Sequence, residues 1–134
     1  MVNKKGFTLI ELVIVISIIV ILTSIVVPNF ISTTEHSKLK TDIQTAVIVH
    51  NAIELYRMQN GDLPSEVNNI SSLATLLREN NYINNMELVP QLIGAEWEYD
   101  ATSGKILLNI AECSESIKRL AESLTAQERQ YIVI

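Results

Sequence analysis

The sequence holds a single cysteine, Cys113, so no disulfide can form within the chain and whatever folds must hold by packing. Between Leu12 and Val27 there is no charged residue, and between Lys5 and Lys38 no basic one. From Asn29 to Asn60 there is neither glycine nor proline, so nothing there interrupts a helix. After Pro28 the chain carries eight Lys/Arg against fourteen Asp/Glu, a balance of 8 − 14 = −6. An acidic exterior does not attract a phosphate backbone, and direct nucleic-acid binding is not expected. No glycine-rich phosphate loop and no Cys/His cluster of metal-site spacing occurs. Isolated Ser, His and Asp residues do not make a hydrolase, so the sequence points away from an enzyme and toward no cofactor.

What is present is concentrated at the N-terminus. Phe7 to Val27 is an apolar run of 21 residues broken only by Glu11 and a few hydroxyls. As a helix it would reach about 32 Å, against roughly 30 Å for a bilayer's hydrocarbon core. Its many Val and Ile residues favour strands in water. In lipid an unpaired strand would leave its backbone unsatisfied, so a transmembrane helix is expected. Lys4 and Lys5 precede the run, which predicts a cytoplasmic N-terminus, a single pass through the cell membrane and an outer part beyond it. No alanine-type cleavage site follows the run, as an ordinary secretory signal requires. Glu11 is the anomaly, because an ionised carboxylate in a membrane costs about 2.5–3.5 kcal/mol and calls for a partner. A cut after Gly6 would give Phe7 a free amine one helical turn from Glu11.

The string Lys4-Lys5-Gly6-Phe7-Thr8-Leu9-Ile10-Glu11-Leu12, followed by an apolar helix and Pro28, resembles the class III signal of type IV pilins and pseudopilins. The resemblance implies cleavage after Gly6 by a prepilin peptidase and methylation of the new Phe7 amine. It gives Glu11 the role of meeting the terminal amine of a neighbouring subunit, with Pro28 the family's helix proline. It also implies partners: copies of the chain and other pilins, an assembly platform with its ATPase, and membrane lipid. Two features depart from the family pattern. No glycine lies between Glu11 and Pro28 to help the helix unwind, although Pro28 can break or kink it by removing a hydrogen bond. The paired carboxyl-terminal cysteines of many pilins are absent as well.

Beyond the run, Leu39, Ile43, Ala46, His50, Ile53 and Arg57 recur at spacings of four and three, one face of a helix that Asn60-Gly61-Asp62 should stop. Phe7 to Asn60 as one rod would reach about 80 Å. Ser71 to Asn80 reads as a short helix capped by Ser71 or Ser72. Trp97–Asp100 and Lys105–Ile110 read as a hairpin, Glu112 to Leu124 as a helix, and Tyr131–Ile134 as a last strand. The expected fold is α+β: a long N-terminal transmembrane helix spine with a small antiparallel sheet packed on its C-terminal half. Its divisions would be a leader (1–6), an assembly helix (7–28), its extramembrane continuation (29–60) and a globular part (61–134).

No metal site is expected. His36 and His50 would stand about 21 Å apart along a helix. Glu96, Glu98 and Asp100 share a strand face but lack the loop spacing that calcium needs. Three functions remain open: a pilin that polymerises into a surface filament, a pseudopilin of a secretion or DNA-uptake machine, and a membrane-tethered binding module.

Overall fold

The computed structural model describes residues 6–84 and 87–134, without the side chains of residues 26–31. Lys4 and Lys5, on which the expected orientation rests, lie outside the described residues. Seven elements follow one another: α1 (Leu9–Asn60), α2 (Ile70–Glu79), β1 (Glu96–Asp100), β2 (Lys105–Asn109), α3 (Glu115–Glu122), α4 (Ala126–Arg129) and β3 (Ile132–Val133). The chain divides into two compact units, one ending at Thr34 and one running from Glu35 to Ile134.

In the first unit, α1 is apolar on every side and covered on none. Phe7 is 80% exposed, and the large apolar residues from Leu9 to Ile25 all stand open. A helix of that composition is at home only in lipid or among other helices. Among the described residues no helix is long and apolar enough to cross a membrane. The part of this run within α1 whose side chains are described, Leu9 to Ile25, stops short of the stretch expected to span.

The second unit is built on the later turns of α1. Leu39, Ile43, Ala46 and Ile53 are buried as their spacing predicts. His50 and Arg57 are only half-buried, and Val49 and Tyr56 fill the places expected of them. The His50 ring meets Tyr131 edge-on at 6.0 Å, while the Arg57 guanidinium pairs with Glu54 at 3.0 Å. Two apolar clusters form. One gathers Ala46, Ile53 and Tyr56 with Leu73 and Leu77 of α2; the other gathers Leu39 and Ile43 with Leu92, Leu108 and Ile117. Each fully buried Leu or Ile contributes about 1.5–3 kcal/mol. Gly61, at φ +86°, ends α1, and its N–H donates to the Arg57 carbonyl at 2.9 Å.

Three details differ from the sequence reading. Helix α2 starts earlier than expected, because Asn69 rather than Ser71 or Ser72 is its cap. The Asn69 side chain accepts from the Ser72 N–H at 2.8 Å, and the Ser72 hydroxyl accepts from the Asn69 N–H at 3.3 Å. The expected helix from Glu112 to Leu124 is shorter, Glu115–Glu122, and a further turn, α4, follows a Thr125–Glu128 capping box. The sheet is mixed rather than antiparallel. β1 and β2 form the expected hairpin, with Trp97 opposite Leu108, but β3 runs parallel to β2. A parallel return needs a crossover of a dozen or more residues, which the α3–α4 segment supplies.

α4 is fastened to α1 by the pair Lys40–Glu128. The lysine's hydrogen bond, then the side-chain and backbone donors of Thr125, hold the Glu128 carboxyl down to about 2 from its usual 4.5. A depressed carboxyl stabilises the fold wherever it is ionised in both states. That contribution is complete above about pH 4.5 and fades as the pH falls toward 2. Glu128→Gln should therefore flatten the acid limb of the unfolding-midpoint profile over this window and lower the midpoint at neutral pH. Thermal melts in a pH series check it.

Candidate assembly site

The sequence-predicted site residues all belong to the first unit, and the structure lays out the turn that begins α1. Gly6 is exposed, and a Cβ added there would meet nothing within 4 Å. A glycine is therefore not demanded by the chain's own packing at this position. Phe7 follows, open to its surroundings. Then Thr8 and Glu11 close on one another: the Glu11 carboxylate accepts from both the backbone N–H and the hydroxyl of Thr8, each at 2.8 Å. In return the Thr8 hydroxyl accepts from the Glu11 N–H at 3.3 Å. This reciprocal bonding is a capping box, which satisfies backbone donors that a helix start leaves free.

Sequence reasoning identified Glu11 and passed over Thr8, its local partner. The signal was available in Thr8-Leu9-Ile10-Glu11, the T-x-x-E pattern of a capping box. Among the described residues no ion pair reaches Glu11, so its charge is hydrogen-bonded but not balanced. The helix dipole favours a carboxylate in this first turn, by about 0.3–1 kcal/mol. That is less than the cost of an ionised carboxylate in lipid, about 2.5–3.5 kcal/mol.

Further along, the polar groups of the apolar stretch are satisfied within the helix. The hydroxyls of Ser17 and Ser24 donate to the Val13 and Ile21 carbonyls, each at 2.7 Å, and Thr23 donates to the Ile19 carbonyl. α1 is not broken at Pro28, as the sequence reading had allowed; the backbone stays helical on both sides. One missing N–H is a loss that a long helix tolerates. The Pro28 side chain lies outside the described residues.

Elsewhere the candidate chemistry resolves into structural roles. Cys113 is buried, and burial pushes its thiol up from the usual value, away from the reactive thiolate. Asp100 accepts from the Thr102 N–H and the Ser103 hydroxyl of its own turn, and Glu98 takes the Asn109 amide. Among the described residues no group of three or more His, Cys, Asp or Glu side chains gathers to hold a metal.

The geometry defines an exposed apolar helix whose first turn presents a hydrogen-bonded carboxylate, and residues 1–27 match the prokaryotic N-terminal methylation motif. At its N-terminus the chain thus carries a motif of prokaryotic N-terminal methylation, and it is similar to type II secretion core proteins and to a type IV pilus component. Its relatives include the type II secretion system core protein G of Escherichia coli, 34% identical over 53% of this chain and 49% of that protein. The core protein G of Vibrio cholerae is 27% identical over 81% of this chain and 78% of its own length. The type IV wide pilus major component of Thermus thermophilus is 36% identical over 55% and 54%. The chain thus spans about half the length of the Escherichia coli and Thermus relatives. No solved structure matches it.

Proposed function

We propose that this chain is a structural subunit that polymerises with its own copies and other pilins into a helical filament. In this reading residues 1–6 are a leader, cut after Gly6 by a prepilin peptidase, and the new Phe7 amine is methylated. Residues 7–28 hold the subunit in the cell membrane as a single pass, with lipid as first partner. They later form the filament interior, and residues 29–60 continue the spine to a globular part, 61–134. An assembly platform and its ATPase supply the work of extraction. One observation carries the reading: Glu11 sits, capped by Thr8 but without a cation among the described residues, on a helix exposed along its described apolar stretch. A neighbour's terminal amine gives it the missing charge, and the apolar sides give the helix its neighbours. Because the pair exists only when two copies stand at one offset, it also sets their axial register.

The core protein G relatives favour a second form of the same reading, a pseudopilin of a secretion machine. A surface pilus and a pseudopilus separate on one experiment: shearing cells and imaging the supernatant gives long fibres for the first and few for the second. A membrane-tethered binding module, by contrast, would keep its activity as residues 29–134 alone. Gly6→Leu tests processing. Since the position is sterically open in the chain itself, the variant should fold normally yet accumulate as uncut precursor, visible as a larger band in the membrane fraction. Normal cleavage of that variant would reject Gly6 as the cut site.

A further inference from the structure

We infer that the loop spanning residues 88–95 docks on the open face of α1 in a second copy, a head-to-tail contact between outer units. The inference rests on the filament reading above and adds a specific contact to it.

Two surfaces of the second unit carry the argument. The exposed positions of α1 include Thr41, Gln44, Ile48, Asn51, Leu55 and Met58, spaced three and four apart and so forming one strip about 26 Å long. No charge falls on those six positions, although the chain after Pro28 carries fourteen acidic and eight basic residues. Ile48, Leu55 and Met58 stand 47%, 49% and 80% exposed. The second surface is the loop. Leu88 to Ala95 contains no charged residue, and it holds out Val89, 63% exposed, and Ile93, 85% exposed.

The loop is held from beneath. Leu92 is buried with Leu39 and Ile43. The carboxylate of Asp42, itself 1% exposed, accepts from the backbone N–H groups of Gln91 at 2.8 Å and Leu92 at 3.0 Å. Gly94 lies against the Glu112 backbone so closely that a Cβ would stand 2.9 Å from its carbonyl oxygen. Apolar side chains presented by an anchored loop lose little conformational freedom on docking, which favours binding.

The geometry selects the occupant. Asp42, on which the loop packs, lies about 200° around α1 from Gln44. A copy therefore cannot cover its own strip with its own loop. Two acidic copies repel wherever they present carboxylates, and they approach at least cost where neither surface carries charge. The strip and the loop match in this respect, and Met, Leu and Ile are what the core of such a contact requires. Joining two different surfaces makes a heterologous contact, which propagates as a helix when it does not close into a ring.

The test uses the full chain in cells. Ile93→Cys is combined in turn with Ile48→Cys, Leu55→Cys or Met58→Cys, and sheared material is oxidised and run without reductant. The expected result is a ladder of covalent multimers from at least one double variant, about ten-fold or more above any single variant. The unmodified chain, whose Cys113 is buried, sets the baseline. Dimers from Leu55→Cys alone would mean that strip meets strip, and would overturn the inference. Filaments at normal yield with no ladder from any pair would also overturn it, leaving the filament reading intact. Absence of any filament or pseudopilus from the unmodified chain would remove both.

Discussion

Glu11→Ala is expected to leave the leader cut at Gly6 and to lower the yield of sheared filament by about a hundredfold or more. Two effects act in the same direction. Within the proposed filament, removing the carboxylate would strand the neighbour's amine among apolar side chains. Removing one member of a buried pair costs about 3–5 kcal/mol, or more than two decades in an equilibrium constant. Within the membrane, the variant no longer bears the cost of an ionised carboxylate, about 2.5–3.5 kcal/mol, so the subunit rests there more comfortably and extraction gains less. Glu11→Gln separates charge from shape: it keeps the oxygen that accepts from Thr8 but cannot balance an amine. The yield from that variant should stay close to the alanine level. Immunoblots of sheared and membrane fractions measure both, and full filament yield from either variant would reject the pairing.

Gly94→Ala is expected to have the largest effect on stability. At φ +85° an L side chain is strained, and the added Cβ would stand 2.9 Å from the Glu112 carbonyl oxygen and 3.3 Å from its carbon. Those are backbone atoms next to Cys113, which is buried in one of the two apolar clusters, so they have little room to retreat. Left-handed strain and overpacking each cost about 1–3 kcal/mol, for a loss of about 2–6 kcal/mol in all. In a unit of this size the midpoint should fall by about 10–30 °C. Gly104→Ala offers the comparison. Its φ is +66°, but the obstacle is the guanidinium of Arg57, the far end of a flexible side chain that can swing aside. Calorimetry of the two variants in detergent should show the smaller loss at Gly104.

Much of this architecture could be read from the residues because local chemistry and tertiary structure agree there. The hairpin emerged from alternation in Trp97–Asp100 and the turn closed by Gly104; the end of α1 emerged from Asn60-Gly61. The parts that stayed hidden depend on partners distant in sequence. Asp42 looks like an ordinary polar residue on a helix, yet it is buried because Gln91 and Leu92, about fifty positions away, donate to it. Burial pushes its carboxyl up, while those N–H groups and Lys38 pull it back. The parallel placement of β3 was equally illegible, since two residues of strand carry no sign of direction. α4 is too short to show a helical period, and its one sequence sign is the capping box spelled by Thr125-Ala126-Gln127-Glu128.

The proposed assembly site stands out in the sequence for a different reason. Glu11 violates the pattern around it, and a charge placed where it is costly marks function more clearly than one placed where it is comfortable. Thr8 is the half of the site that reading for anomalies misses, because a threonine before a helix is unremarked. Its hydrogen bonds keep the carboxylate oriented at the start of α1.

Mass spectrometry of the N-terminal peptide from native, sheared material bears most directly on the central claim. A chain beginning at Phe7 and heavier by one methyl group is the predicted result, recovered from fibres containing many copies. Material that begins at Met1, unmethylated and found only as single subunits, would contradict it.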